Sequence, residues 1–118
     1  MKYMLLVYGT EREWDEPYRE ACYAESGKLV EDIKAKGQFV ATSPLQPTPT
    51  AASVRVRDGK RLVTDGPFAE TREQLGGYYI VDVDSRDEAI EIAARIPGAR
   101  NGTIEVREVI ELAGVSKN

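Results

Sequence analysis

The chain has 118 residues, with 42% apolar and 31% charged side chains, which suits one soluble globular domain with a real core. Its 20 acidic residues outnumber 16 basic ones for a net charge of −4, and no basic run exceeds two residues, which argues against nucleic acid or an anionic membrane as partner. There is no His and a single Cys, Cys22, so His–carboxylate dyads, Ser–His–Asp triads, the usual zinc sites and an intrachain disulfide are all excluded.

Tyr3 to Tyr8 (YMLLVY) is apolar on both alternating faces and reads as a central strand covered on both sides. Lys2 before this run resembles the start of a signal peptide, but the run stops at Tyr8-Gly9, too short for a signal core or a membrane span. A cytoplasmic location without membrane association is therefore expected. After a polar loop to Asp15, Pro17 suits a first helical turn, and residues 16–36 follow helical spacing. Tyr18, Cys22, Ser26, Leu29, Val30 and Ile33 form the inner stripe, and Gly37 is placed to cap the C-terminus. Cys22 reads as an inert buried thiol, whereas Trp14 and Tyr18 either pack or rim a pocket.

Phe39 to Ala41 begins a second strand, and the Pro-rich stretch Ser43 to Ser53 is a loop or edge segment. Val54–Arg57, Asp58-Gly59 and Lys60–Thr64 spell a hairpin with a two-residue turn. Arg55 and Arg57 alternate with Val; they form a solvated face or hold an anionic ligand bidentately. Gly77 to Val83 is the next strand, with Tyr78, Ile80 and Asp82 on one face and Tyr79, Val81 and Val83 on the other. Ser85-Arg86-Asp87-Glu88 is a capping box opening a helix that Pro97-Gly98 stops. Thr103 to Ile110 is the last strand, with Ile104, Val106 and Ile110 on one face. One domain spans residues 1–112, and residues 113–118 are expected to fray.

The order β-α-β, hairpin, β-α-β predicts an α+β, ferredoxin-like βαββαβ sandwich with an inserted β-hairpin. Two helices cover one face of such a sheet, yet YMLLVY and GYYIVDV are apolar on both. A second copy packed face to face, a homodimer, supplies the missing surface. The alternative is that the hairpin and the Pro-rich loop fold back over that face.

Between Val63 and Asp82, "VTDGPFAETREQLGGYYIVD" concentrates special residues. Asp65-Gly66-Pro67 is turn chemistry and Phe68 a hydrophobic anchor. Thr71-Arg72-Glu73-Gln74 has capping-box form, cut by Gly76-Gly77 to about one helical turn whose free N–H groups favour an anion. Carboxylates at Asp65, Glu70 and Glu73 serve as acid or base only where burial raises a pKa. The competing reading makes the whole segment a structural corner.

This segment resembles the signature of the DGPF group within the YCII-related family. The likeness extends to "MKYMLLVYG", "VRVRDGK", "DEAIEIAARIP" and "GTIEVREV". It implies a ferredoxin-like dimeric α+β barrel with a cleft between sheet and helix. It also implies an enzyme-like setting with no established reaction, and for some members an association with extracytoplasmic-function sigma factors. YCII-type relatives carry a His on the first helix, paired with an Asp. Here "SGKLVEDI" puts Ser26 at the His position, so that dyad does not transfer. Asp65 matches the motif Asp and is the one catalytic candidate. The ligand-binding candidates are Ser26, Asp65, Gly66, Pro67, Phe68, Gly76, Gly77 and Tyr78, with Arg55 and Arg57 for an anionic group. No metal or cofactor is expected. The two functions left open are binding of a small polar or anionic molecule in a cleft between the first helix, the sheet and the Asp65–Gly77 segment, and a non-catalytic dimeric accessory module linked to sigma-factor regulation.

Overall fold

The computed structural model describes residues 1–10, 16–69 and 71–112. Trp14, Glu70 and the tail from 113 lie outside the described residues. In chain order the elements are β1 (Lys2–Gly9), α1 (Glu16–Ala35), β2 (Phe39–Pro44), β3 (Ala52–Arg57), β4 (Lys60–Asp65), β5 (Gln74–Asp82), α2 (Arg86–Arg95) and β6 (Thr103–Glu108). Short 3₁₀ turns lie at Thr48–Thr50 and Pro97–Arg100.

Four strands form an antiparallel sheet of order β2-β5-β1-β6, and β3 pairs with β4 as a separate two-stranded ribbon. With the ribbon set aside, this order and the two helices are compatible with the ferredoxin-like fold. β1 lies between β5 and β6, inside the sheet, and only one of the two apolar faces of YMLLVY is covered by helices. Tyr3 and Leu5 on β1 join Tyr79 and Val81 on β5, beside Val83 just past its end. Leu29 and Ile33 of α1 and Ala89, Ile92 and Ala93 of α2 close over them.

The local signals for these elements are visible in atomic detail. Ser85 caps α2, its side chain accepting a hydrogen bond from the Glu88 N–H, while the Glu88 carboxylate accepts one from the Asp84 N–H. Gly37 sits at φ +71°. Its N–H donates to the Lys34 carbonyl and the Gln38 N–H to the Ile33 carbonyl, a Schellman end to α1. Asp58 and Gly59 both have positive φ, 52° and 74°, as a type I′ hairpin turn requires.

Three sequence expectations are corrected. β5 begins at Gln74, three residues earlier than Gly77, because Leu75 and Gln74 continue the ladder opposite Tyr8 and Gly9. The single helical turn at Thr71–Gln74 is absent. The Gln74 side-chain amide instead donates to the Ala69 and Thr71 carbonyls, and the Thr71 hydroxyl to the Glu73 carbonyl. These bonds hold the segment in an open bend that feeds an extended strand. Finally, β6 stops at Glu108, and Ile110 is 80% exposed rather than on the core face. The β1 strand it would pair with has already ended at Lys2, whose carbonyl accepts from the Val109 N–H.

The other face of the sheet carries no helix. There Met4 lies opposite Ile80 and Leu6 opposite Tyr78, all half-buried. The Cα trace spans 47 × 43 × 18 Å. Eighteen ångströms is the depth of one sheet plus one helical layer, with no third layer. Nor does the hairpin fold back: every residue from Val54 to Asp65 is exposed. Among the described residues no helix is long and apolar enough to cross a membrane.

Candidate functional site

The segment from Asp65 to Gly77 leaves the hairpin and enters the centre of the sheet. Asp65 is the last residue of β4, opposite Ala52. Gly66 follows at φ +91°, a conformation that side chains with a Cβ rarely adopt. Its N–H donates to the Ala51 carbonyl at 2.7 Å, and its own carbonyl accepts from the Ser53 hydroxyl at 2.8 Å. These two bonds close the root of the hairpin. At the other end, Gly76 accepts from the Leu45 N–H. Gly77 is buried where β5 passes β2, and a Cβ there would stand 3.1 Å from the Ser43 carbonyl oxygen and 3.3 Å from the Pro44 Cα. The glycines are therefore accounted for by backbone closure.

Asp65 and Phe68 are not. The Asp65 carboxylate is exposed and takes no hydrogen bond or ion pair among the described residues. Phe68 is 80% exposed, the extreme for a large apolar side chain among the described residues alongside Ile110. An aromatic ring that wet contributes nothing to the core of its own chain.

The remaining predicted residues are spread over the fold. Ser26 lies on the α1 stripe with Leu29 and Ile33, on the helix side of the sheet. Tyr78 belongs to the opposite, open face, next to Leu6 and Ser43. Arg55 and Arg57 stand exposed on the hairpin, where Arg57 donates to the neighbouring Val56 carbonyl. Pro67 follows the kink at Gly66 and is half-buried. Within one chain, the segment gathers Asp65, Gly66, Pro67 and Phe68 at the hairpin root; Ser26 and Tyr78 face away from each other across the sheet.

A second polar cluster forms where α1 starts and the turn after α2 ends. The Tyr18 hydroxyl donates to the Asn101 side-chain oxygen at 2.7 Å. Tyr8, Thr10, Tyr18 and Asn101 surround a cleft of about 10 Å³ floored by glycine backbone, space for one water molecule. Burial, and then hydrogen bonding to the Cys22 thiol, raise the Tyr18 phenol above its ordinary value. Two turns along α1 from Tyr18, Arg100 grips both oxygens of Glu25 at 2.9 Å. This bidentate bond first, then attraction to Arg100 and Lys28, lower the Glu25 carboxyl below its ordinary range. Nearer the end of the helix, Arg95 of α2 pairs with Asp32. These ion pairs are solvent-exposed and fix α2 and the turn after it on α1 more in orientation than in energy. Sequence reading placed Tyr18 and Cys22 on the right stripe but not Arg100 and Asn101, which lie in "PGARNG" and read there only as a helix stop. Two glycines enclosing an Arg and an Asn were the available signal that this turn carries more than a stop.

A four-stranded antiparallel sheet backed by two helices, with a free hairpin between β2 and β5, defines an α+β domain compatible with the ferredoxin-like fold. The family model described as "YCII-related domain" matches residues 1–113. An uncharacterized protein of Rhizobium meliloti is 38% identical over 116 residues, covering 91% of this chain and 90% of its own length. The chain belongs to the YCII-related family.

Proposed function

We propose that this chain is a homodimeric binding domain for a small polar or anionic molecule, held in a cleft to which the Asp65–Gly77 segment contributes. One observation carries the reading. At the hairpin root an unpartnered carboxylate and an 80% exposed aromatic ring stand three residues apart, and the fold of one chain uses neither. A carboxylate beside an aromatic face suits a ligand with hydrogen-bond donors and a planar or apolar part. Arg55 and Arg57 of the same hairpin supply cations for an anionic group. Ser26 and the sheet residue Tyr78 carry hydroxyl donors on opposite faces, so a cleft under the first helix uses Ser26, while Tyr78 meets a second chain on the open face. The sheet-on-sheet pairing of a dimeric α+β barrel supplies that second chain. Asp65 binds and orients.

A second reading follows from the glycines. Gly66, Gly76 and Gly77 are all engaged in closing backbone, which favours a non-catalytic dimeric accessory module, of the kind linked to sigma-factor regulation, with this segment as its corner.

Asp65→Ala separates the two. A thermal-shift screen of the wild-type chain against a metabolite library should give stabilising compounds. At a ligand concentration of about 100 times Kd the stabilisation is about 2.7 kcal/mol. The substituted chain should lose that shift while its ligand-free melting temperature stays within about 2 °C, since an exposed substitution away from packing costs about 0.5 kcal/mol or less. Collapse of the ligand-free fold would instead mark Asp65 as part of the corner.

A further inference from the structure

Every hairpin residue from Val54 to Asp65 is exposed, Val54, Val56 and Val63 to 60%, 63% and 58%. Register sorts the side chains into two faces of different character. One face carries Val56 and Arg61 nearest the tip, Val54 and Val63 in the middle, and Ala52 and Asp65 at the root. The other carries Arg57 and Lys60, then Arg55 and Leu62, then Ser53 and Thr64. The surplus positive charge of the hairpin therefore lies on the second face. The valine face holds one base and one acid and is neutral.

That neutral face is complementary to itself. Its outer rows lie two residues from the Val54–Val63 row along each strand. A two-fold axis laid across the ribbon over the middle row turns a second ribbon face down and reverses its direction. Each strand then lies over its own counterpart. Val54 meets Val54, and Val63 meets Val63, of the second copy. Val56 meets Ala52, large over small, and Arg61 meets the Asp65 carboxylate, at both ends of the contact. An axis over either outer row would set Arg61 on Arg61 or Asp65 on Asp65, so the charges select one register. Within one chain neither Arg61 nor Asp65 takes an ion pair among the described residues.

The body of the same chain leaves this face free. A radius of gyration of 16.0 Å, against about 13 Å for a compact domain of this length, fits an arm held away from its own body. We infer that the β3–β4 hairpin packs, valine face to valine face, on the hairpin of a second copy. The contact is separate from the sheet-on-sheet pairing and leaves the open sheet face clear. It goes beyond the ligand reading and depends on neither, because a carboxylate has acceptor sites enough for Arg61 and a ligand together. A face about 14 Å long buries less than a standard interface, so the contact is weak, with a dissociation constant of about 10 μM or above.

The test is a pair of charge reversals followed by sedimentation from about 1 μM to about 1 mM protein, with circular dichroism to follow the fold. Arg61→Asp sets acid against acid at both ends of the contact, and Asp65→Arg sets base against base. Both positions are exposed, so each variant should keep the wild-type spectrum. Each alone should weaken the hairpin association by about 10-fold or more. In an equimolar mixture the two acids of the first variant meet the two bases of the second, and association should return to within about threefold of wild type. A sheet-on-sheet dimer should persist in every variant, since none touches Leu6 or Tyr78. Wild-type association that neither reversal changes overturns the hairpin contact, as does a mixture that fails to recover, or a wild-type chain that stays single throughout. Should a reversal disturb the hairpin itself, Val63→Lys on the two-fold axis decides, because association as tight as wild type there overturns the contact as well.

Discussion

Gly102→Ala should cost about 3 kcal/mol of stability and lower the melting temperature by about 10 °C. A Cβ at this position would clash with the Tyr8 carbonyl oxygen and would lie 3.1 Å from that of Gly98 and 3.2 Å from the Gly9 Cα. All three atoms are backbone, so no side chain can rotate out of the way. The turn after α2 is itself tied down, with the Gly102 N–H donating to the Gly98 carbonyl at 2.8 Å. Relief therefore has to come from separating the end of β1 from the start of β6, where Tyr8 pairs with Thr103. That movement would also pull Asn101 from Tyr18, so the variant should lose the ordering of the start of α1 along with global stability. Gly27, in the middle of α1, is the control. A Cβ there meets nothing within 4 Å, and Gly27→Ala should stabilise the chain by up to about 1 kcal/mol through helix propensity. Thermal unfolding of the two variants should move in opposite directions. A Gly102→Ala chain that melts with the wild type would mean the contact between β1 and this turn is not maintained in solution.

What the sequence discloses and what it withholds divide along sequence distance. Asp58-Gly59, Ser85 with Glu88, and Gly37 each act within six residues, and each marks its element correctly. The two-residue period of YMLLVY and GYYIVDV likewise separates Leu5 from Leu6 and Tyr79 from Tyr78 before any tertiary contact is known. The bend at Thr71–Gln74 fails this way of reading, because the capping-box pattern is satisfied on paper while Gln74 is committed to the Ala69 and Thr71 carbonyls and to the β5 ladder. Ile110 fails for a related reason: its alternation continues past the point where β1 stops offering partners. The candidate site is the least legible part. Periodicity puts Ser26 on a helix stripe and Tyr78 on a strand face, but their lying on opposite sides of the sheet emerges only once α1 is packed on Tyr79 and Val81. The bonds from Tyr18 to Asn101 and from Glu25 to Arg100 join residues far apart in the chain, and no local pattern encodes them.

Adjacent leucines on β1 turn that two-sidedness into a measurement. Leu5 is 0% exposed beneath both helices, and Leu5→Ala should cost about 3 kcal/mol from lost burial and the cavity left behind. Because the surrounding core belongs to a single chain, the loss should be the same at low and high protein concentration. Leu6 points the other way, half-buried between Tyr78 and Glu105 on the open face. In a lone subunit Leu6→Ala removes only part of that burial, about 1 kcal/mol. In a pair of chains the same side chain is covered, so its loss should grow as protein concentration rises and the dimer fills. Urea unfolding of both variants at two concentrations distinguishes the faces directly. Concentration-independent losses for both leucines would leave the open face as ordinary wet surface, and the apolar residues on that side of β1 and β5 would need another occupant.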